Sequence, residues 1–524
     1  MNYNLVFYLI LSSSIIMTSS AIELDIECDI SESHHASQSC SFVSKECTIN
    51  ELSIKNEDTR IVFTNAREEN FTSISFHSSH IPTFPKEIFD QFRNVTYVDI
   101  TVAMMSKIEN NTFEQAMSLM ELDLSFNKLT EITEFAFSGL KNLLKLDLSY
   151  NDIHMISSKA FDFMEKLEYI SLNANKLTAL EKDTFKKLTN LRTLYIYSNS
   201  IKSLDPQTFY SNKKLVSLNL DFNDLEEVEL DFEEVQIDNL ELTGNSLKKL
   251  TLTAINAPKT VNTSPRVRYL HLAHNKFESL STIVIDKNIK LQKLELPYNN
   301  LKVLDDGPNF LTDITDLTLS ENEIETISQN FMQKLTNLKK LHLHGNKLNL
   351  SDNMFEPLKA LKYLDLADNK IERVNLNWFR GLSNLTELNL RDNLIESLPI
   401  KTLLKDVAPL LKRVIIENNK FNCSYLKSFI EEAKNLTLSE LENNGINGIR
   451  CSSNTTSGGT KSNQHIYWAV LGGFIALIIV VALISSNRQK IMDKINLNRG
   501  RHLPYSNVTI NRNGLSDPTD DCVF

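Results

Sequence analysis

Histidines and carboxylates are the side chains that can exchange protons or hold a metal near neutral pH. In this 524-residue chain the ones whose spacing invites that reading are His271, His342 and His344, with Asp316 and Glu295. His342 and His344 stand two apart in an alternating segment, so both side chains face the same side of a strand. Such a pair could bind a metal weakly, but a solvated polar pair is the simpler expectation. His271 stands apart from them. The chain has a dominant period of 24 residues, which places three strand spacings of about 4.8 Å, roughly 15 Å in all, between His271 and His342. No ion bridges that distance. The sequence carries no nucleophile elbow, no phosphate loop and no zinc-spaced set of cysteines. The expectation is a protein with no catalytic residue, metal or cofactor, one that binds and does not catalyse.

The elements that must position these residues are set by the period. Between Phe71 and Phe421 the pattern apolar-xx-apolar-x-apolar-xx-Asn-x-apolar recurs. It is clearest in Leu119, Leu122, Leu124, Asn127, Leu129 and in Leu143, Leu146, Leu148, Asn151, Ile153. Further turns open at Leu167, Leu191, Leu215, Ile237, Val267, Leu291, Ile314, Leu338, Leu361, Leu385 and Leu411, with degenerate ones at Phe71 and Val95, fifteen in all. The alternating core of each turn is a short strand with one face inward, and stacked turns build a parallel sheet.

The motif resembles the leucine-rich-repeat family. That resemblance implies an α/β solenoid, a horseshoe lined by a concave parallel β-sheet. It also implies that the thirteen register asparagines, Asn127 to Asn419, turn inward to bond the backbone of neighbouring coils, with Ser79 and Ala103 standing in the first two turns. Phe89, Phe113, Phe137, Phe161, Phe185 and Phe209 follow at the same period and Phe331, Phe355 and Phe379 resume it. They resemble the phenylalanine spine of extracellular repeats, on the convex side. From 225 to 290 the regularity slips. An acidic run, Glu226, Glu227, Glu229, Asp231, Glu233 and Glu234, is followed by an insert over 251–266. A solvated face is the first reading of that run, and a docking site for a basic partner the second.

The outward strand positions display Tyr169, Tyr195 and Tyr197 close together, then Asp221, Glu241, Tyr269, His271, Lys293, Glu295, His342, Tyr363, Arg391 and Arg413. Such a mixture suits protein recognition, and the three tyrosines are the preferred ligand-binding candidates. Asp123, Asp147 and Asp365 are discounted, because an Asp between the two leucines is common in the family whatever it binds. The formal charge of −11 argues against a nucleic-acid partner.

Two apolar segments bear on location. Residues 1–21, with Leu5 to Leu11 apolar and Ser19, Ser20, Ala21 small, read as a signal peptide; an uncleaved N-terminal anchor is the alternative. Residues 466–484 carry no charge and are followed by Arg488, Lys490, Lys494, Arg499 and Arg501, which reads as a transmembrane helix with its C-terminus in the cytoplasm. The order expected is a Cys-containing N-terminal cap (22–70), repeats (71–421), a C-terminal cap (422–451), a stalk (452–465), the span and a tail (485–524). Cys423 and Cys451 are the expected C-terminal pair. Leu426, Phe429, Ile430 and Ala433 between them share one face of a short capping helix. Cys28, Cys40 and Cys47 cannot all pair among themselves, which points to a disulfide-linked dimer or a free thiol. Sequons at Asn70, Asn94, Asn110, Asn262, Asn349, Asn384, Asn435 and Asn454 are expected to carry glycans, whereas Asn422, beside a cysteine, is expected to be blocked. Tyr505 to Val508 reads as a tyrosine-based tail motif.

The arrangement as a whole resembles insect transmembrane leucine-rich immune proteins and Toll-like ectodomains lacking the cytoplasmic signalling domain. It includes the turn Ile81, Pro82, Thr83, Phe84, Pro85 ahead of the regular repeats. The resemblance implies a plasma-membrane, single-pass type I receptor or co-receptor of innate immunity, binding a protein ligand or co-receptor. A developmental cell-adhesion molecule is the other reading.

Overall fold

One alternation, repeated, builds the main sheet. In Lys145–Asp147 the central Leu146 is fully buried while its neighbours face outward, and Leu122, Ile170, Leu194 and Leu218 repeat the arrangement. Each strand pairs in parallel and in register with the next, Leu122 opposite Leu146 opposite Ile170 opposite Leu194. The computed structural model describes residues 23–434 apart from 27–28, 38–39, 55–59, 64–70, 233–235 and 255–265. Its long sheet holds seventeen strands. Two form an N-terminal antiparallel hairpin, Asp29–Ser37 with Cys40–Asn50. The rest, one for each expected turn, run from Ser73–His77 to Arg413–Ile415.

The register asparagines hold the coils together as the resemblance implies. Asn151 donates to Leu124 O of the preceding coil and to Leu148 O of its own, both at 3.0 Å, and its Oδ1 accepts the Leu129 amide at 3.1 Å. A tight turn thereby satisfies polar groups that burial would orphan. Ser79 does part of this work in the first turn, accepting from Leu52 N at 3.2 Å and donating to His77 O at 3.0 Å. Ala103 cannot, and Asn127 reaches back to its amide at 3.1 Å.

The nine expected spine phenylalanines are all buried. Phe113, Phe137, Phe161, Phe185 and Phe209 form a continuous stack with 6.0 Å between successive ring centroids. Phe84, from the Ile-Pro-Thr-Phe-Pro turn, extends the stack against Phe113 at 5.0 Å. The slipped region replaces it with a three-stranded parallel sheet on the opposite side of the coil, Glu227–Phe232, Lys249–Ala254 and Ile283–Ile285. Val228, Leu230 and Phe232 point into the core and Glu227 and Glu229 point out. Over 227–232 the acidic run is therefore the solvent side of a strand, and its charges alternate because the strand's period is two.

The long sheet also opens earlier than the repeat pattern suggests. Glu46 to Asn50 pair in parallel with Ser73 to His77, and Cys47, Ile49, Leu52 and Ile54 are buried as a coil's apolar positions would be. At the other end Cys423–Lys434 is the expected helix, with Leu426 and Phe429 buried and Phe421 stacked on Tyr425 at 5.8 Å. Asn422 Oδ1 accepts the Tyr425 amide at 2.7 Å, so this sequon's side chain is the helix N-cap.

The signal peptide, the stalk, the 466–484 span and the tail lie outside the described residues, as do Cys28, Cys451, Asn70, Asn262, Asn435, Asn454, Glu233, Glu234 and most of the 251–266 insert. Among the described residues no helix is long and apolar enough to cross a membrane. Asn94, Asn110, Asn349 and Asn384 are exposed. Cys47 is fully buried and already disulfide-bonded within the chain.

Candidate ligand-binding face

The outer face of the long sheet is a mosaic whose pieces are set by register. Tyr169 and Tyr195 occupy diagonal positions on adjacent strands, Ser171 standing opposite Tyr195, and their rings meet edge to face at 5.7 Å. Lys145 Nζ lies 5.7 Å from the Tyr169 ring centroid on the other side. Burial, reinforced by Asp147, pushes the Tyr169 phenol up to about 12. Tyr197 joins the neighbourhood two residues on, its amide donating to Asn173 Oδ1 at 3.0 Å. All three tyrosines are half-buried, so each presents part of a ring to solvent. The structure brings the three sequence candidates together as expected.

Beyond them the face turns ionic. Asp221 is pushed up to about 7 by burial, with Glu241 beside it adding to the shift and the Thr243 amide, 2.6 Å away, opposing it. Glu295 is drawn down to about 2, first by the His271 hydrogen bond at 2.6 Å, against its burial, and then by Lys293, also at 2.6 Å. His271 is thus paired across one strand step. It does not meet His342, which is three steps away through Glu295 and Thr318.

His342 and His344 depart from the expected solvated pair. Both are half-buried, and both face Asp365, which stands opposite His342 on the next strand and is itself buried. Asp365 Oδ2 lies 3.4 Å from His344 Nδ1 and 3.9 Å from His342 Nδ1. The hydrogen bond to Asp365 raises the His344 pKa, whereas burial lowers that of His342. Asp365 is lowered, the His344 bond, the Ala367 amide and the two imidazoles outweighing its burial. The other discounted aspartates have local duties. Asp123 Oδ1 accepts the Ser125 amide and Asp147 Oδ1 the Ser149 amide, each at 2.9 Å, closing the turn after the strand.

One feature of the face escapes a reading based on strand positions. The residue before each register Asn is left-handed, with φ of 57°, 54°, 52°, 52° and 56° at Phe126, Tyr150, Phe222, His274 and Tyr298. Four of these are large exposed aromatics. Phe126 stacks on Tyr150 and His274 on Tyr298, both at 4.3 Å. The signal was the recurrent aromatic-Asn pair.

Residues 117–177, 165–225, 289–348 and 347–395 match the family model described as leucine rich repeat. Those segments carry leucine-rich repeats. No curated protein matches it. Among solved structures, the leucine-rich repeat domain of APL1 is 21% identical with a TM-score of 0.52, over 80% of this chain and 95% of that one. A chain of the LRIM1/APL1C complex is 20% identical with a TM-score of 0.54, over 89% of this chain and 78% of that one. The glycosylated Toll–Spatzle complex of Drosophila is 21% identical with a TM-score of 0.57, over 72% of this chain and 51% of that one. At these identities the likeness is one of fold. The fold is that of a leucine-rich-repeat solenoid, and the chain spans about half of the Toll chain.

Proposed function

We propose that this chain is a single-pass plasma-membrane receptor or co-receptor of innate immunity that binds a protein ligand through the outer face of its long sheet. The observation that carries the binding role is the Tyr169–Tyr195 edge-to-face pair, half-buried and flanked by Lys145 on one side and by the Asp221–Glu241 acidic patch on the other. Rigid aromatic anchors beside charges of both signs are what protein interfaces use for affinity and register. The similar solved structures include protein complexes, LRIM1 with APL1C and Toll with Spatzle, and the latter is described as a hub in Drosophila development and innate immunity. The membrane anchor rests on the uncharged segment 466–484 and the basic residues after it, and the extracellular side on the signal peptide and sequons. Within a secretory route the odd cysteine of the N-terminal region links two chains. With Cys47 already bonded, that link falls to Cys28 or Cys40, and a non-reducing gel showing only monomer would overturn it.

The test compares the full chain displayed on cells with its Y169A–Y195A variant, both used to capture binding proteins. A species recovered by the native face and bound about 30-fold or more weakly by the variant is the expected result, the size of a two-residue hot spot. Equal capture by both would place binding elsewhere, and recovery of nothing would sink the receptor reading.

A further inference from the structure

We propose that His342, His344 and Asp365 form a zinc-binding site on the long-sheet face. The two histidines alternate on one strand and its continuation, and Asp365 is the in-register neighbour of His342 on the next strand. Strand pairing alone therefore converges two imidazoles and a carboxylate, and one donor atom from each lies within 4.8 Å of the others. Donors held about 2.0–2.2 Å from a tetrahedral zinc ion stand roughly 3.3–3.5 Å apart. The 3.4 Å from His344 Nδ1 to Asp365 Oδ2 already meets that, the 3.9 Å from His342 Nδ1 exceeds it by about 0.5 Å, and the two imidazole donors, within 4.8 Å of each other, must draw together by side-chain rotation as the ion binds. Two nitrogens and one oxygen suit zinc or another late transition metal and not calcium or magnesium, which require mostly oxygen.

The surroundings are arranged to support such an ion. The Ala367 amide donates to Asp365 Oδ1 at 3.0 Å and orients the carboxylate, leaving Oδ2 for the imidazoles. The Tyr363 hydroxyl donates to that same Oδ2 at 3.3 Å, and its ring packs on His342 at 4.8 Å. Asp99, Asp123 and Asp147 make the same turn-closing bond with one oxygen, to the amides two residues on. Among the described residues Asp365 alone adds two histidines on the second oxygen. The Ser320 hydroxyl, 2.8 Å from His344 Nδ1, competes with the ion for that nitrogen. Three protein donors leave a fourth position of the tetrahedron for water or for a side chain of a bound protein.

The experiment titrates cobalt(II) into the chelator-treated full-length chain. The expected result is one equivalent with the visible absorption of four-coordinate cobalt, displaced by zinc. The H342A–H344A double variant and D365N should each lose more than tenfold in affinity for that equivalent. Because both histidines are half-exposed on a sheet face, the variants are checked by their metal-free melting temperatures, and zinc should raise the melting temperature of the native chain only. S320A, with the competing hydroxyl removed, should bind at least as tightly as the native chain. No cobalt spectrum, a spectrum with thiolate charge-transfer bands, or unchanged affinity in the variants would each overturn the site and leave the cluster a histidine–carboxylate ion pair.

Discussion

At the scale of single residues the long-sheet face is governed by what burial does to charge. Asp221 in the folded chain titrates near 7, well above its ordinary 3.8, so the folded state holds a proton that the unfolded state has lost between those values. Stability contributed by the protonated form is complete below about pH 4 and is lost as pH rises through about 7. An amide in its place keeps the oxygen that accepts the Thr243 amide and never ionises. D221N should therefore melt close to the native chain at pH 4 and above it at pH 8, a difference read by scanning calorimetry. A constant difference across that range would mean Asp221 is ionised throughout. Glu295 is the opposite case. Its carboxylate is held near 2 by His271 and Lys293, so it contributes stability above about 4.5 that is lost as pH falls toward 2. Within one sheet, strands three steps apart carry carboxylates tuned in opposite directions: at Asp221 burial outweighs the opposing pull of His271, whereas at Glu295 the direct bonds from His271 and Lys293 outweigh burial.

At the scale of elements the decisive contrast is between the charges of Glu227–Phe232 and the apolar residues between them. L230A removes a fully buried side chain and should cost about 2–5 kcal/mol in chemical denaturation, whereas E229K on the solvent side should cost less than about 0.5. Comparable losses for both would show that the acidic side is itself packed. The strand was legible as an alternation of Val228, Leu230 and Phe232, but the charges are more conspicuous than the period, and the run reads first as a solvated face with no strand beneath it. The regular turns were legible for the opposite reason: each repeats five or more positions, and the register Asn is irreplaceable where one side chain must both donate to and accept from buried backbone. The early coil was hidden because Cys47, Ile49, Leu52 and Ile54 supply its volume without a leucine pair or an asparagine. The tyrosine cluster could be placed from spacing alone. The His342–His344–Asp365 cluster was hidden by a correct generalisation, since an Asp at that slot usually closes a turn, and Asp365 does so with only one of its oxygens.

At the scale of the whole solenoid each coil contacts its neighbours, so stability is a chain of nearest-neighbour terms and the two ends are its weak points. The Cys423–Lys434 helix covers one of them: Phe429 and Leu426 are buried, Phe429 lies 6.3 Å from Phe421, and the Tyr425 hydroxyl donates to Leu398 O at 2.7 Å while accepting the Leu398 amide at 2.8 Å. F429A should uncover the apolar edge of the last coil at a cost of about 3–5 kcal/mol to local packing. If coupling passes only from coil to coil, amide hydrogen exchange in the variant should accelerate most over residues 385–421, less over 338–384, and not at all over 119–220, where the phenylalanine stack is continuous. The three-stranded sheet at Glu227–Phe232, Lys249–Ala254 and Ile283–Ile285 interrupts that stack, and it is where a gradient of protection should break. Uniform acceleration from one end of the sheet to the other would instead mean that the hydrogen-bonded Asn ladder, which runs unbroken from Asn127 to Asn419, couples all the coils into a single cooperative unit despite the change of packing on the opposite side.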